Sequence, residues 1–139
     1  MMQYQFNLHK FNVELNLSKN EYLIYVDRDA VEEALINLIS NSFKYSKEKK
    51  WIGVETYVQD NFMVLSVKDE GIGISRENSE NIFHPFYRID SKESQRTGGA
   101  GLGLSIVKHI MDAHEGKIEV LSELGKGSNF ILSFPILKQ

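Results

Sequence analysis

The stretch from Asp29 to Ser46, DAVEEALINLISNSFKYS, constrains the fold more than any other part of the chain. At about 100° per residue, its apolar side chains cover well over half of a helix circumference. These apolar residues are Val31, Ala34, Leu35, Ile36, Leu38, Ile39, Phe43 and Tyr45. We therefore predict an amphipathic helix from Asp29 to about Tyr45 that packs inward over most of its surface.

The polar residues of this helix form one narrow stripe. Asn37, Asn41 and Lys44 fall within roughly 60° of arc, with Glu33 and Ser40 beside them. An unpaired buried polar group costs about 1–3 kcal/mol, so two carboxamides and an ammonium group on a largely buried helix need partners. A polar ligand would supply those partners, and an ordinary solvent-exposed face is the alternative for the helix taken alone.

Size and composition exclude several classes of function. The 139 residues suit one domain, which we place at 1–139, and no apolar run approaches the roughly 18 residues that span a bilayer. The net charge is −3 without a dense Lys/Arg cluster, which argues against nucleic acid as a partner. The chain has no cysteine, which excludes disulfides and thiolate metal sites and suits a reducing cytoplasmic compartment.

Strand-like sequence flanks the helix on both sides. Tyr4–Leu17 and the segment SKNEYLIYVD predict two antiparallel strands. Asp29 followed by Glu32 predicts a capping box at the start of the helix. Alternating residues on either side of Asp60 and Asn61 then predict a hairpin whose second strand runs from Phe62 to Asp69.

The second half of the chain contains a long irregular segment and a second helix. Residues 70–100 lose periodicity apart from a short helical possibility near Glu77–Phe83, and loops this long are uncommon unless functional. A helix follows from Leu102 to before Gly116, and its packing face is predicted to carry Gly103, Ile106, Val107 and Ile110. Two final strands are predicted at Lys117–Ser122 and Ser128–Leu137. The fold class is therefore α+β, a two-layer sandwich with a mixed, mostly antiparallel sheet covered on one face by helices.

Asp69 is a charged residue on the core-facing side of its predicted strand, the side that Val67 and Leu65 share. A carboxylate in that position needs a hydrogen-bond donor. Gly71 and Gly73 follow, and glycine permits backbone conformations closed to other residues and lets a flat ligand approach the main chain. The alternative is an ordinary Asp-Gly turn at the end of a strand.

The glycine-rich run Gly98–Leu104, GGAGLGL, opens the second helix. Free N–H groups and the helix dipole at such a position favour anions such as phosphate, and a flexible linker is the alternative. The run lacks the GKS or GKT of a Walker loop and does not directly follow a strand as the dinucleotide fingerprint requires. Cations that could screen a triphosphate, or simply lie on a solvated surface, are Arg76, Arg88, Lys92 and Arg96.

Five segments in order closely resemble the motifs of a known family. NLISNSFKYS, DEGIGI, IFHPFYR, GGAGLGLSIVKHI and GKGSNF are similar to the N, G1, F, G2 and G3 boxes of the catalytic ATP-binding domain of bacterial sensor histidine kinases. The resemblance covers about Asp29–Pro135 and implies the Bergerat (GHKL) ATP fold with a flexible lid at about residues 75–100. Ala100 departs from the pattern, because the family often has Thr there.

The resemblance also implies ATP and Mg²⁺ as cofactors and assigns roles to individual residues. It makes Asn41 the Mg²⁺ ligand, places Asn37 and Lys44 with Asn41 at the phosphates as the catalytic group, and makes Asp69 the acceptor for the adenine amine. The further nucleotide-binding positions are Tyr45, which lines the pocket, Gly71, Gly73, Ile74, Phe86, Arg88, Gly99, Gly101, Leu102, Gly103, Leu104, and Ser128, which matches a hydroxyl that assists Asp69. Phe83 and Phe86 match an aromatic box that holds the lid.

Alternative functions within the same superfamily differ in the group that accepts the phosphate. Chaperone, mismatch-repair and topoisomerase ATPases of the superfamily have a glutamate one turn before the metal-binding Asn, and here that position is Asn37. An amide is not a general base, so transfer to a nucleophile other than water fits better than hydrolysis. The alternatives are an anti-sigma-factor serine kinase, which the IFHPFYR box and the long lid disfavour, and a non-catalytic nucleotide-binding scaffold.

No histidine of the chain stands in an acceptor motif. The four histidines are His9, His84, His109 and His114, and none begins the His-Glu-(Leu/Ile)-(Arg/Lys)-x-Pro run that the resemblance requires. His114 instead suits a helix C-terminus, where a histidine interacts favourably with the helix dipole. We therefore expect the dimerisation and acceptor-histidine domain, the sensor domain and the response regulator to lie outside this chain. We expect this chain to be a monomer, with a start that reads like a cut made just before a domain.

Overall fold

Helices and strands alternate along the part of the chain that the computed structural model describes, which is residues 12–19, 21, 23–46, 49–85 and 103–137. The elements are β1 Asn12–Asn16, α1 Arg28–Tyr45, β2 Trp51–Gln59, β3 Phe62–Asp69, α2 Arg76–Ser79, α3 Gly103–Ala113, β4 Lys117–Glu123 and β5 Gly127–Pro135. None of the helices within these ranges is long and apolar enough to cross a membrane.

The five strands form one sheet in the order β1-β2-β3-β5-β4. β1 pairs with β2 in parallel, and the other three pairs are antiparallel. The predicted mixed, mostly antiparallel sheet is therefore confirmed. Its register places Ile52, Asp69, Ser128 and Ser122 side by side across four strands, a set that we call the Asp69 row.

The hairpin between β2 and β3 is the element that the sequence defines most sharply. Asp60 and Asn61 form its turn with φ of 51° and 64°. Two successive residues with positive φ are the mark of a type I′ turn, which matches the twist of the flanking strands and which Asp and Asn tolerate well. The predicted hairpin is confirmed.

The predicted antiparallel pair at the start of the chain is wrong in the residues that the structure describes. β1 lies parallel to β2, with Asn12 opposite Trp51, and Ile24 makes only an isolated bridge with Ile136. The physical reason is the connection, since α1 lies between β1 and β2 and a crossover of this kind is what parallel pairing requires. The segment before Asn12 lies outside the described residues.

The start of α1 is set by Asp27 rather than by the predicted capping box at Asp29. The Asp27 carboxylate accepts hydrogen bonds from the N–H groups of Asp29 at 2.9 Å and Ala30 at 3.4 Å. The Asp27 carbonyl accepts the first helical hydrogen bond, from Val31 N–H at 3.0 Å. Both aspartates are of a residue type that caps helices, and Asp29 instead contributes a negative charge to the first turn.

The core lies between the sheet and the two long helices. Its buried members include Ala34, Leu38 and Ile39 of α1, Val107, Ile110 and Met111 of α3, and Ile52, Val54, Val67, Phe130, Leu132 and Phe134 of the sheet. Two residues predicted to pack inward do not, because Ile36 is 46% exposed and Ile106 is 37% exposed. Ile36 lies about 200° around the helix from Ala34, and Ile106 lies at the edge of the stripe through Val107.

The short helix α2 is smaller than the predicted Glu77–Phe83 segment. Ser75 caps it by accepting a hydrogen bond from Asn78 N–H at 3.1 Å. The turns that follow bring Phe83 edge-on to the Phe130 ring, with centroids 6.5 Å apart and an interplanar angle of 84°. Phe83 thereby anchors this segment to the sheet.

The helix α3 ends at Ala113, and its left-handed cap residue lies one position before the predicted glycine stop. Glu115, with φ of 57°, is the left-handed residue, and Gly116 N–H bonds to Met111 O at 2.8 Å. This is the Schellman pattern with Glu115 in the position that glycine usually takes. Gly116 is needed for another reason, since a Cβ there would lie 2.6 Å from the Ser133 carbonyl oxygen.

Candidate functional site

Asp69 occupies a buried cradle at the carboxyl end of β3, where it is 5% exposed. Its Oδ1 accepts hydrogen bonds from Gly71 N–H at 2.9 Å and Ser128 N–H at 3.3 Å. Its Oδ2 accepts one from the Ser42 hydroxyl at 3.2 Å. The predicted core-facing position of Asp69 is thus confirmed, and its donors come from α1, β5 and the loop after β3.

The environment of Asp69 acts on its pKa in two directions. Burial raises the pKa of Asp69 above its ordinary value of 3.8, and the hydrogen bonds from Gly71, Ser42 and Ser128 lower it by less than burial raises it. A carboxylate oxygen can accept about two hydrogen bonds, and within the described residues Oδ2 receives one. The cradle can therefore accept a further donor from a ligand.

Ser42 was missed by the sequence reasoning. It is 1% exposed and lies four residues after Leu38, on the buried stripe of α1. A hydroxyl at that position must find a partner, because an unpaired buried polar group is costly. The sequence feature that could have identified Ser42 is therefore its position as a lone polar residue on the apolar side of an amphipathic helix.

Ser128 assists Asp69 through its backbone rather than through the predicted hydroxyl. Its N–H donates to Asp69, whereas its Oγ lies 2.8 Å from Ser122 Oγ. Ser122 Oγ also donates to the Gly127 carbonyl at 2.9 Å and accepts from Ile74 N–H at 2.7 Å. The cause is the sheet register, which sets Ser122 opposite Ser128. Ser122 is a second residue that sequence reasoning missed, although it alternates with the half-buried Val120.

The glycines after Asp69 are required by the protein's own backbone. A Cβ on Gly71 would collide with the carbonyl oxygen of Tyr45, and one on Gly73, which has φ of 76°, would collide with that of Glu123. Ile72 N–H donates to the same Tyr45 oxygen at 3.0 Å. The loop therefore lies directly against the end of α1, and the predicted approach of a ligand to these glycines stays a prediction.

The polar stripe of α1 faces the beginning of α3. A Cβ on Gly103 would lie 3.2 Å from Asn37 Oδ1, so the first residue of α3 lies beside this carboxamide. Asn37 Nδ2 donates to the Glu33 carbonyl of its own helix at 3.0 Å. Farther along, Asn41 is half-buried and Lys44 is exposed. The stripe is therefore next to a helix N-terminus, whose first N–H groups attract anions.

The remaining predicted site residues fall into two groups. Ile74 is buried, and Tyr45 and Leu104 are half-buried, with Leu104 packed against the core. The others lie outside the described residues, and these are Phe86, Arg88, Gly99, Gly101 and Leu102. The structure thus joins Asp69, Gly71 and Ser128 in one cluster and Asn37 with Gly103 in another.

His114 is held by both of its ring nitrogens. Nδ1 lies 2.7 Å from the Ile110 carbonyl oxygen, and Nε2 accepts from Asp27 N–H at 3.0 Å. A ring that accepts through Nε2 and donates through Nδ1 satisfies both contacts. His114 therefore links the end of α3 to the cap of α1.

Comparison with known families and proteins agrees with this geometry. Residues 26–138 match the family described as histidine kinase-, DNA gyrase B-, and HSP90-like ATPase. The sensor histidine kinase WalK of Bacillus subtilis is 37% identical over 86% of this chain, and the sensor-like histidine kinase SenX3 of Mycolicibacterium smegmatis is 38% identical over 82%. The matched regions span 20% and 30% of those two proteins.

Solved structures extend the comparison to the fold. Full-length ShkA in complex with AMPPNP superimposes with a TM-score of 0.83 at 26% identity, covering 99% of this chain and 28% of that one. The nucleotide-free catalytic domain of histidine kinase ThkA gives a TM-score of 0.76 at 29% identity, covering 96% and 87%. The chain therefore belongs to the histidine kinase-, DNA gyrase B- and HSP90-like ATPase family, and within it is the ATP-binding catalytic domain of a sensor histidine kinase.

Proposed function

We propose that this chain binds Mg²⁺-ATP between α1 and the Asp69 cradle and transfers the γ-phosphoryl group to a histidine on a separate dimerisation domain. The observation that carries the proposal is the buried Asp69 carboxylate, whose Oδ2 has capacity for one more donor. The AMPPNP complex of ShkA supports the same type of ligand. We place the reaction in the cytoplasm and propose that the chain acts as a monomer towards its partner.

The Asp69 cradle fits an adenine base. The exocyclic amine of adenine is a donor, and an ionised carboxylate offers only acceptors. Guanine in the same pose would present a carbonyl oxygen to Oδ2, which places two acceptors against each other. The cradle is therefore expected to favour ATP over GTP.

The stripe of α1 fits the phosphates and a metal ion. Mg²⁺ binds oxygen ligands and is usually held by one or two protein groups together with substrate phosphates and water. In the described ranges there is no cluster of three or more His, Cys, Asp or Glu side chains that could hold a metal. The carboxamide oxygen of Asn41 would be the protein ligand, and Asn37, Lys44 and the first turn of α3 would contact phosphate oxygens. When bound, the ion would neutralise charge on the triphosphate.

The transfer step needs a nucleophile from another domain. A neutral imidazole nitrogen attacks the γ-phosphorus in line, a P–N bond forms, and the bond to the β–γ bridging oxygen breaks to leave ADP. The other ring nitrogen of the acceptor then releases its proton to solvent. Because the carboxamide of Asn37 cannot act as a general base, water competes poorly as an acceptor. The phosphohistidine would in turn supply a response regulator.

Labelling with γ-labelled ATP tests the proposal. We expect acid-labile label on an added dimerisation and acceptor-histidine domain of the parent kinase, and none on this chain incubated alone. Asn41→Ala is the control that should abolish transfer. Strong label on this chain by itself would contradict the proposal, and acid-stable label on an added protein's serine would point to a serine kinase.

A further inference from the structure

Ser42 stands between the two halves of the candidate site. It directly follows Asn41 on α1, yet its side chain points to the other half of the site and its Oγ lies 3.2 Å from Asp69 Oδ2. Among the described residues it is the one side chain that donates to Asp69, since the other two donors are backbone N–H groups. It is also 1% exposed.

The two oxygens of Asp69 are held differently. Oδ1 has two backbone donors, which fix its position as part of the loop and sheet geometry. Among the described residues, Oδ2 receives one donor, the Ser42 hydroxyl. This bond therefore decides how the carboxylate plane is rotated once Oδ1 is held in place. The plane in turn decides where the second acceptor direction of Oδ2 points.

We propose that Ser42 is a positioning residue for base recognition, whose hydroxyl orients Asp69 Oδ2 so that its remaining acceptor direction meets the amine of the bound base. The inference rests on the proposed nucleotide function. It assigns to α1 a role at the base in addition to the expected role at the phosphates.

When Asp69 is ionised, the hydrogen bond between Ser42 and Asp69 can have only one direction. A carboxylate has no proton to give, so the single hydroxyl proton of Ser42 must point at Oδ2. The backbone of Ser42 is fixed within α1, and its carbonyl accepts a hydrogen bond from Ser46 Oγ at 2.6 Å. The donor therefore reaches Asp69 from a rigid element.

Comparing a nucleotide that carries the exocyclic amine with one that lacks it distinguishes a positioning role of Ser42 from a purely structural role. The chain and Ser42→Ala are titrated with ATP and with purine riboside triphosphate, which lacks the amine. We expect Ser42→Ala to weaken ATP binding about three- to tenfold, the effect of one ordinary hydrogen bond, and to leave binding of the amine-free nucleotide unchanged. In an Asp69→Ala background the same substitution should change neither affinity.

Ser66→Ala is the matched control, because Ser66 is a 6% exposed serine on the opposite face of β3 from Asp69. It should leave the ratio of the two affinities unchanged. Ser42→Thr, which keeps the hydroxyl, should preserve the preference for the amine. If Ser42→Ala also lowers stability, the ratio within that variant still decides, since partial unfolding weakens both ligands alike.

Equal weakening of both nucleotides, or undiminished ATP binding, would overturn the positioning role while leaving the proposed function intact. Failure of the unmodified chain to bind ATP would overturn the proposed function and this inference with it. Loss of the ATP preference in Ser66→Ala as well would also overturn it, because the effect would then follow any buried hydroxyl.

Discussion

The two ends of the candidate site are built in different ways. At the base end, Asp69 is buried and receives, from the part of the chain that the structure describes, three hydrogen bonds from three separate segments. At the phosphate end, Asn41 is half-buried, Lys44 is exposed, and Asn37 donates to its own helix. One end is fixed by the register of the sheet, and the other consists of side chains along one helix.

This difference indicates how far each end of the site is organised before a ligand binds. The base end is organised by protein contacts alone, and the cost of burying its charge is visible in the raised pKa of Asp69. The phosphate end needs groups from outside α1 to complete it. We therefore expect substitutions at the phosphate end to act on binding alone, and substitutions at the base end to act on both binding and folding.

Asn41→Ala should have the largest effect on binding. Removing the expected Mg²⁺ ligand should weaken Mg²⁺-dependent ATP binding by about 1.5–4 kcal/mol, which is tenfold to several-hundredfold. The melting temperature should stay unchanged, because Asn41 is half-buried and contributes little core volume. Isothermal titration with an ATP analogue and Mg²⁺ measures it, with Asn129→Ala on the far face of β5 as the control. Unchanged affinity would remove Asn41 from the metal site.

Asp69→Asn should remove the preference for adenine. The amide oxygen can still accept from Gly71 and Ser128, but the amide nitrogen then takes the Oδ2 position and presents a donor to the adenine amine. We expect a loss of about 1.5–3 kcal/mol in ATP affinity, the range for a hydrogen bond to a charged group. Competition of ATP and GTP for a fluorescent analogue measures the selectivity. An unaltered preference would show that Asp69 does not contact the base.

Gly71→Ala should damage the base end through folding. The new Cβ would collide with the Tyr45 carbonyl and lie 3.1 Å from Asp69 Oδ1, so the loop must shift. We expect a loss of about 1–3 kcal/mol in the free energy of unfolding, as for overpacked positions. Urea unfolding measures it. Gly125→Ala is the comparison, because its positive φ of 83° strains an alanine as well while nothing lies within 4 Å of the new Cβ, so it reports backbone strain without a collision.

Lowering the pH should stabilise the ligand-free protein through Asp69 but weaken its binding of ATP. The pKa of Asp69 in the folded protein is raised above its ordinary value of 3.8. Between 3.8 and that raised pKa, the native protein therefore binds more protons than the unfolded chain. This group therefore makes the ligand-free protein less stable as pH rises through that window, whereas ATP binding strengthens as the carboxylate ionises. The effect is limited to about 1.4 kcal/mol per unit of pKa difference. Affinity and unfolding measured against pH should lose these opposed slopes in Asp69→Asn.

The sequence predicts those features that depend on local chemistry. The alternation through Val67 places Asp69 on the core side, and the Asp60-Asn61 pair defines the turn before β3, and both are found. The partner of β1 was predicted wrongly, because alternation reports which side of a strand is buried and not which strand lies beside it. The choice of Asp27 over Asp29 as the cap likewise depends on one residue of helix boundary, which local propensity does not resolve.

The donors to Asp69 could not be predicted for a related reason. The buried carboxylate of Asp69 indicates that hydrogen-bond donors lie near it. The donors Ser42 and Ser128, however, are 27 and 59 residues away from it in sequence. Their convergence is set by how α1 packs on the sheet and by the pairing of β3 with β5. Only the buried position of Ser42 on its helix could have marked it in advance.

The Asp69 row has a consequence for which insertions and deletions this protein can tolerate. Because side chains alternate along a strand, a slip of one residue between β3 and β5 would turn one partner to the other face and separate Asp69 from the Ser128 amide. Changes of length are therefore tolerable in a hairpin tip away from the Asp69 loop, such as the Asp60-Asn61 turn, and not within the paired strands or in the turn at Gly125, whose N–H donates to the Ile72 carbonyl. In an alignment of relatives, gaps should gather at such a tip and stop short of the row.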